Sequence, residues 1–310
     1  MAQKAERVIP SFSGQITDTL KPKNPIRDPY NADELRQSLA AFGYALSFSN
    51  ETASTMDDAR KVGIKPTVIL TDHQTQGRGR TGRSWLDEPG MSVLMTIVEP
   101  FNEIDGDPRG NSFLPHQMFT LAACVALQEI TGNPNVRIKW PNDLVYAGAN
   151  QTNFGRKIGG VLVENPDYTS EGTYPKLIGV GINIHYPSAQ DSFPKTDYGA
   201  ISLSEVMHGK NLHRQNIVTA IIREWSKARV ALRGLSIPAT LKKYTDLWNQ
   251  NAIALTGKKI RISGVNNDPD KSIEGVVIKF PFRKALTLDT ENGKQEFTEF
   301  SPNTRVEIIS

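Results

Sequence analysis

Residues 77–86 read Gly77-Arg78-Gly79-Arg80-Thr81-Gly82-Arg83-Ser84-Trp85-Leu86. From Gly77 to Arg83, glycines and arginines interleave with no carboxylate among them. Glycine this dense lets a backbone take positive φ and come close to a ligand, and it suits neither a helix nor a buried strand. Apolar runs flank the stretch at Thr67–Leu70 and Val93–Val98, and both read as strands. Gly77-x-Gly79-x-x-Gly82 spells a dinucleotide fingerprint, and Gly77-x-x-x-x-Gly82-Arg83-Ser84 spells a P-loop with Arg in place of Lys. Both motifs need a helix to open at the loop, because the phosphate rests on the helix N-terminus. Pro89-Gly90 leaves no room for that helix. The chain must therefore fold as strand, cationic loop, strand, a shape suited to wrap something small and highly negative. Two rival readings are a solvated surface turn and an Arg-Gly nucleic-acid-binding segment; segments of the latter kind repeat in disordered surroundings, whereas this one is single.

At 310 residues and 38% hydrophobic, the chain can hold a large core and a small second domain. Its formal net charge of +3 is too balanced to argue for nucleic-acid binding. Cys124, the only cysteine, lies in an apolar helical run. It excludes an internal disulfide, reads as a buried, inert thiol and fits a reducing, cytoplasmic compartment. No apolar run approaches the roughly 18 residues of a membrane span, so no membrane association is expected. The histidines show no metal-ligand spacing, and there is no G-x-S-x-G nucleophile elbow.

Residues 1–30, rich in proline and mixed charge, read as a flexible N-terminal tail. Helices are expected from Asn31 to Ala41, from Thr55 to Val62 behind a Ser54-x-x-Asp57 capping box, from Ser112 to Ile130, from His213 to Leu232 and from Pro238 to Trp248. In the third of these, Leu114, Met118, Leu121, Ala122 and Val125 form a core-facing stripe. Further strands are expected at Val136–Trp140, Leu144–Tyr146, Ile158–Glu164 and Leu177–Ile184. After Asn251 the pattern changes to short alternating strands near Lys258–Ser263, Ile273–Phe280, Ala285–Leu288 and Glu296–Phe300, with a hairpin turn at Glu291–Lys294. The fold class is therefore α+β, a mixed sheet flanked by helices, with domains at 31–253 and 254–310, the second a small β-barrel.

Four other clusters carry chemistry. Lys139-Trp140-Pro141-Asn142-Asp143 sets a cation and a carboxylate on a turn after a strand; it is either a plain Asx turn or a phosphate site with Asp143 holding Mg²⁺. Lys157-Ile158-Gly159-Gly160 opens a strand with side-chain-free backbone, either a bulge or a close approach to ligand. Gly179-Val180-Gly181-Ile182-Asn183 repeats that pattern with one polar group inside; Asn183 either caps a turn or faces a ligand. Ser54 and Thr55 either cap their helix or bind a polar head group.

In this order and spacing the clusters resemble the biotin protein ligases, also called biotin–[acetyl-CoA-carboxylase] ligases, from about Tyr44 to the C-terminus. The resemblance implies a catalytic domain related to class II aminoacyl-tRNA synthetases and an SH3-like C-terminal barrel. It implies that biotin attacks the α-phosphate of ATP to give biotinyl-5′-AMP, and that a lysine of a biotin carboxyl carrier protein or domain then takes the biotinyl group. By resemblance Ser54, Thr55, Gln74, Arg78, Gly79, Arg80, Lys157, Gly159 and Gly160 bind biotin. Arg80, Arg83, Trp85, Asn142, Lys157 and Asn183 bind ATP or the adenylate. Lys157, Arg80, Arg83 and Lys139 act on the reacting groups, and Asp143 holds Mg²⁺. A lipoate or octanoate ligase shares the fold but should lack this loop. Thr81 stands where relatives often carry another basic residue, and Gln76 where a small residue is common. Some members of that family carry an N-terminal winged-helix DNA-binding domain; here only about 30 Pro-rich residues precede the fold, so no DNA-binding role is expected, and the protein is expected to be a monomer or a homodimer.

Overall fold

The computed structural model describes residues 28–79, 84–101, 113–148, 154–166, 174–185, 199–208, 212–234, 238–265, 268, 270–280, 282, 286–297 and 304–309. Seven strands form the first sheet: β1 (Ala45–Ser49), β2 (Thr67–Thr71), β3 (Ser92–Phe101), β4 (Val136–Lys139), β5 (Asp143–Tyr146), β6 (Arg156–Glu164) and β7 (Tyr174–Asn183). Their spatial order is β1-β2-β3-β7-β6-β5-β4. The β1–β2 pair is parallel and every other pair antiparallel, so the sheet is mixed as expected.

Strand alternation sends successive side chains to opposite faces. On one face Val68 and Leu70 of β2, Val93, Met95 and Ile97 of β3, and Ile178, Val180 and Ile182 of β7 join a large core. That core packs beneath α1 (Ala32–Ala40), α3 (Phe113–Thr131) and α5 (Arg214–Arg233). On the other face Ile69, Val98 and Leu177 meet Met56 and Ala59 of α2 (Thr55–Val62) in a much smaller cluster. The single short helix leaves much of this second face for a site. The expected apolar stripe on α3 is too narrow, because Ala122, Ala123, Cys124, Ala126 and Leu127 are all buried. A helix held between a sheet and α5 is covered on most sides. Burial pushes the Cys124 thiol up to about 12, so it stays protonated and inert.

A one-turn helix α4 (Leu203–Val206) and α6 (Pro238–Asn251) follow the same core. The second sheet contains β8 (Lys259–Ser263), β9 (Ser272–Lys279), β10 (Leu286–Thr290), β11 (Gly293–Phe297) and β12 (Arg305–Ile308). It is antiparallel throughout, in the order β11-β10-β9-β8-β12. The two sheets share one apolar core: Trp248 lies 6.2 Å from Phe280 and 5.8 Å from Phe282, and Trp140 lies 5.8 Å from Phe280.

The N-terminal tail needs a correction at its end. Residues 1–27 lie outside the described residues, but Asp28 to Tyr30 are docked rather than loose. Asp28 Oδ2 accepts from the backbone N–H of Arg214 at 2.6 Å, and the Arg214 guanidinium stacks 4.1 Å from the Tyr30 ring centroid. Arg214 is fully buried, so its charge needs Asp28 and Asp72 as partners.

Candidate active site

The site is built on the sheet face that carries α2. Antiparallel register lines up Thr96, Gly179 and Leu162 in one cross-strand row. A second row runs through Leu94, Gly181, Gly160 and Asp143 to Lys139. Glycines at the centre of both rows lower the floor, and larger side chains settle into the space. A Cβ on Gly179 would stand 2.8 Å from Met56 Cε, and one on Gly181 would stand 2.7 Å from the Trp85 indole. Above this floor lies a cavity of about 810 Å³, a size suited to a small-molecule ligand.

One part of its wall is hydroxyl and amide. Gln74 Oε1 accepts from Thr55 N at 2.8 Å and from Thr55 Oγ1 at 3.0 Å, and Thr96 Oγ1 lies 2.8 Å from Thr55 Oγ1. Ser54 caps α2, its Oγ accepting from Met56 N at 3.3 Å. The return arm of the expected capping box is not made. Asp57 Oδ1 instead receives Arg60 at 2.7 Å and Arg78 at 2.6 Å. Arg78 is thus tied to α2 while still lining the cavity with Gly79.

Another part is charged. Asp143 Oδ1 lies 2.6 Å from Lys157 Nζ, and Asp143 Oδ2 lies 3.8 Å from Lys139 Nζ. Lys139 is buried and its ammonium sits 4.9 Å from the Phe154 ring centroid. Lys157 reaches this face through a bulge. Leu144 pairs with Gly159 but Val145 with Lys157, so Ile158 is the extra residue. The bulge buries Ile158 on the core side while Lys157 and Gly160 share the cavity side.

Three expectations change. Gly159 does not line the cavity: a Cβ there would stand 2.5 Å from the Gly181 carbonyl oxygen, so glycine serves the close strand packing at the bulge. The Asn142 amide donates to Val161 O at 2.9 Å, which staples the turn after the cis Trp140–Pro141 peptide onto β6, although the residue also lines the cavity. Asp143 pairs with two ammonium groups, so in this structure its carboxylate faces Lys157 and Lys139.

Asn183 faces the cavity, its Nδ2 3.5 Å from Ile201 O, and Trp85 lines it above Gly181. Arg80 and Arg83 lie outside the described residues. Sequence reasoning missed Met56, Thr96 and Leu162 on the floor and residues 304–308 of the second sheet on the wall. Thr96, a lone hydroxyl in a run of apolar strand residues, was the one legible signal among them.

Known proteins resemble the chain in sequence and in fold. Residues 48–183 match the model of the Biotin/lipoate A/B protein ligase family. The chain is 28% identical over 260 residues to the bifunctional ligase/repressor BirA of Bacillus spizizenii, covering 81% of this chain and 71% of the relative. It is 30% identical over 185 residues to the Escherichia coli protein of the same name, where it spans about half of the relative's length (51%). The biotin protein ligase of Aquifex aeolicus, solved in complex with biotin and ATP, superposes with a TM-score of 0.64 at 23% identity, over 85% of this chain and 98% of that one. That likeness concerns the fold.

Proposed function

We propose that this chain, which matches the Biotin/lipoate A/B protein ligase family model over residues 48–183, activates biotin with ATP and transfers it to a lysine of a carrier protein. In the first step a carboxylate oxygen of biotin attacks the α-phosphorus of ATP. The bond to the bridging oxygen of the β-phosphate breaks, leaving biotinyl-5′-AMP and pyrophosphate. In the second, the ε-amine of the carrier lysine attacks the acyl carbonyl and AMP departs. The chemistry draws its nucleophiles from substrates, so it needs no activated Ser, Cys or His of the enzyme.

The observation that carries this reading is the shared cavity. Thr55, Gln74 and the Lys157–Asp143–Lys139 cluster all line it, with Trp85 over Gly181. The hydroxyl and amide wall suits the ureido ring of biotin. The ammonium groups suit the meeting of a carboxylate with a phosphate, which repel by about 4 kcal/mol at 4 Å and an effective dielectric near 20. Lys157 is placed to relieve that repulsion, and its pairing with Asp143 fixes where its charge stands. Trp85 offers a flat apolar surface to adenine. Arg80 and Arg83 complete the phosphate contacts and help exclude water from the labile adenylate. The acceptor is a biotin carboxyl carrier protein or domain, encountered in the cytoplasm.

ATP–pyrophosphate exchange measured with biotin, lipoate or octanoate tests the reading. Exchange sustained by biotin alone is expected. Exchange driven by lipoate or octanoate and not by biotin would overturn it.

A further inference from the structure

The Gly/Arg loop is tied at its root by a pair that the proposed chemistry does not use. His73 Nδ1 lies 2.8 Å from Asp87 Oδ2, a contact between residues 14 apart in sequence. The Gln74 backbone N–H donates to the same oxygen at 3.4 Å. The Asp87 side chain is fully buried, whereas that of His73 is 23% exposed. Burial pushes the Asp87 carboxyl up, and contact with His73 opposes that shift. With Asp87 ionised its carboxylate can only accept, and His73 Nδ1 is then the donor.

The positions of the two residues give the pair its consequence. His73 directly precedes Gln74, and Asp87 follows Trp85 by two positions. Gln74 and Trp85 both line the cavity, on opposite ends of the loop. The His73 backbone is itself anchored, its carbonyl accepting from Thr52 N at 3.1 Å and from Thr71 Oγ1 at 3.0 Å. Inside the loop the Trp85 N–H donates to Gly77 O at 2.8 Å. Holding Gln74 and Trp85 near each other lowers the entropy lost when both are fixed against a ligand.

Resting on the ligase reading above, we infer that His73 and Asp87 are positioning residues that set Gln74 and Trp85 against the cavity together, so that biotin affinity and retention of the adenylate depend on their hydrogen bond. His73→Ala and Asp87→Ala are expected to raise the KM for biotin and the rate of adenylate release, each roughly tenfold, with little change in the kcat of pyrophosphate exchange. Hydrogen exchange on the ligand-free protein should accelerate at the Gln74 and Trp85 amides in both variants. His73→Asn keeps an N–H donor near the Nδ1 position and should restore most of both properties. Wild-type behaviour in the alanine variants, or a His73→Asn protein as impaired as His73→Ala, would overturn the inference. Should the unaltered protein show no biotin-dependent exchange, the ligase reading fails, and the hydrogen-exchange arm still decides whether the pair holds the loop.

Discussion

Asp143 binds Lys157 at 2.6 Å and approaches Lys139 at 3.8 Å, so one carboxylate orders two cations on a single wall of the cavity. Lys157→Ala is expected to slow biotin-dependent pyrophosphate exchange by about 10²–10³-fold, the usual cost of losing one preorganised group that meets developing charge. A rate within twofold of the unaltered enzyme would remove Lys157 from this role. The adjacent glycines separate fold from function. Gly159→Ala puts a methyl 2.5 Å from a backbone oxygen and should destabilise the protein by about 1–3 kcal/mol, read as a lower melting temperature. Gly160→Ala meets Asp143 and Lys157 at an ordinary 3.4 Å and should melt normally while binding biotin less well. Equal melting temperatures for the two variants would contradict the bulge assignment. In the sequence these glycines are indistinguishable, because only pairing with β5 shows which of them faces the cavity.

Among the elements, the strong periodic ones were legible: α2, α3, α5 and the long central strands all appear where the pattern puts them. β1, α4 and β12 were missed, for related reasons. β1 is a half-buried edge strand of 5 residues, α4 a single turn of 4, and β12 a strand of 4 that reads as ordinary alternation near the end of the chain. Each is stabilised by its neighbours more than by its own propensity. The docking of Asp28 on α5 belongs here as well. Burial would raise the Asp28 pKa, but the His185 ring, the Arg214 backbone N–H, His213 and the Arg214 charge together bring it down to about 2. A carboxylate depressed below its unfolded value near 3.9 contributes stability above that value, and the contribution fades as the pH falls toward about 2. Thermal melts across this window should therefore lose stability on acidification, and Asp28→Asn should flatten that limb. An unchanged acid limb in Asp28→Asn would show that Asp28 is not the group responsible.

At the scale of the whole molecule, the two sheets behave as one packed body around Trp140, Trp248, Phe280 and Phe282. Arg137 of β4 reinforces the joint by donating to the carbonyls of Asn251 and Ala252, both at 3.2 Å. Trp248→Ala should cost about 3–5 kcal/mol and weaken both sheets together. Two separate melting steps in the unaltered protein would show instead that the sheets unfold independently. Local chemistry was readable in the chain alone: a cationic glycine loop that no helix can follow, lysines and glycines at strand ends, and a change of pattern after Asn251. Those signals are local because they arise from backbone freedom, side-chain period and charge within a few residues. Tertiary structure alone decided which residues share a surface. Strand register set Gly181 under Trp85 and Gly160 beside Asp143, a bulge turned Lys157 toward the cavity and Gly159 away from it, and residues 304–308 closed one wall. Such contacts join segments far apart in the chain, and no local propensity carries information about them.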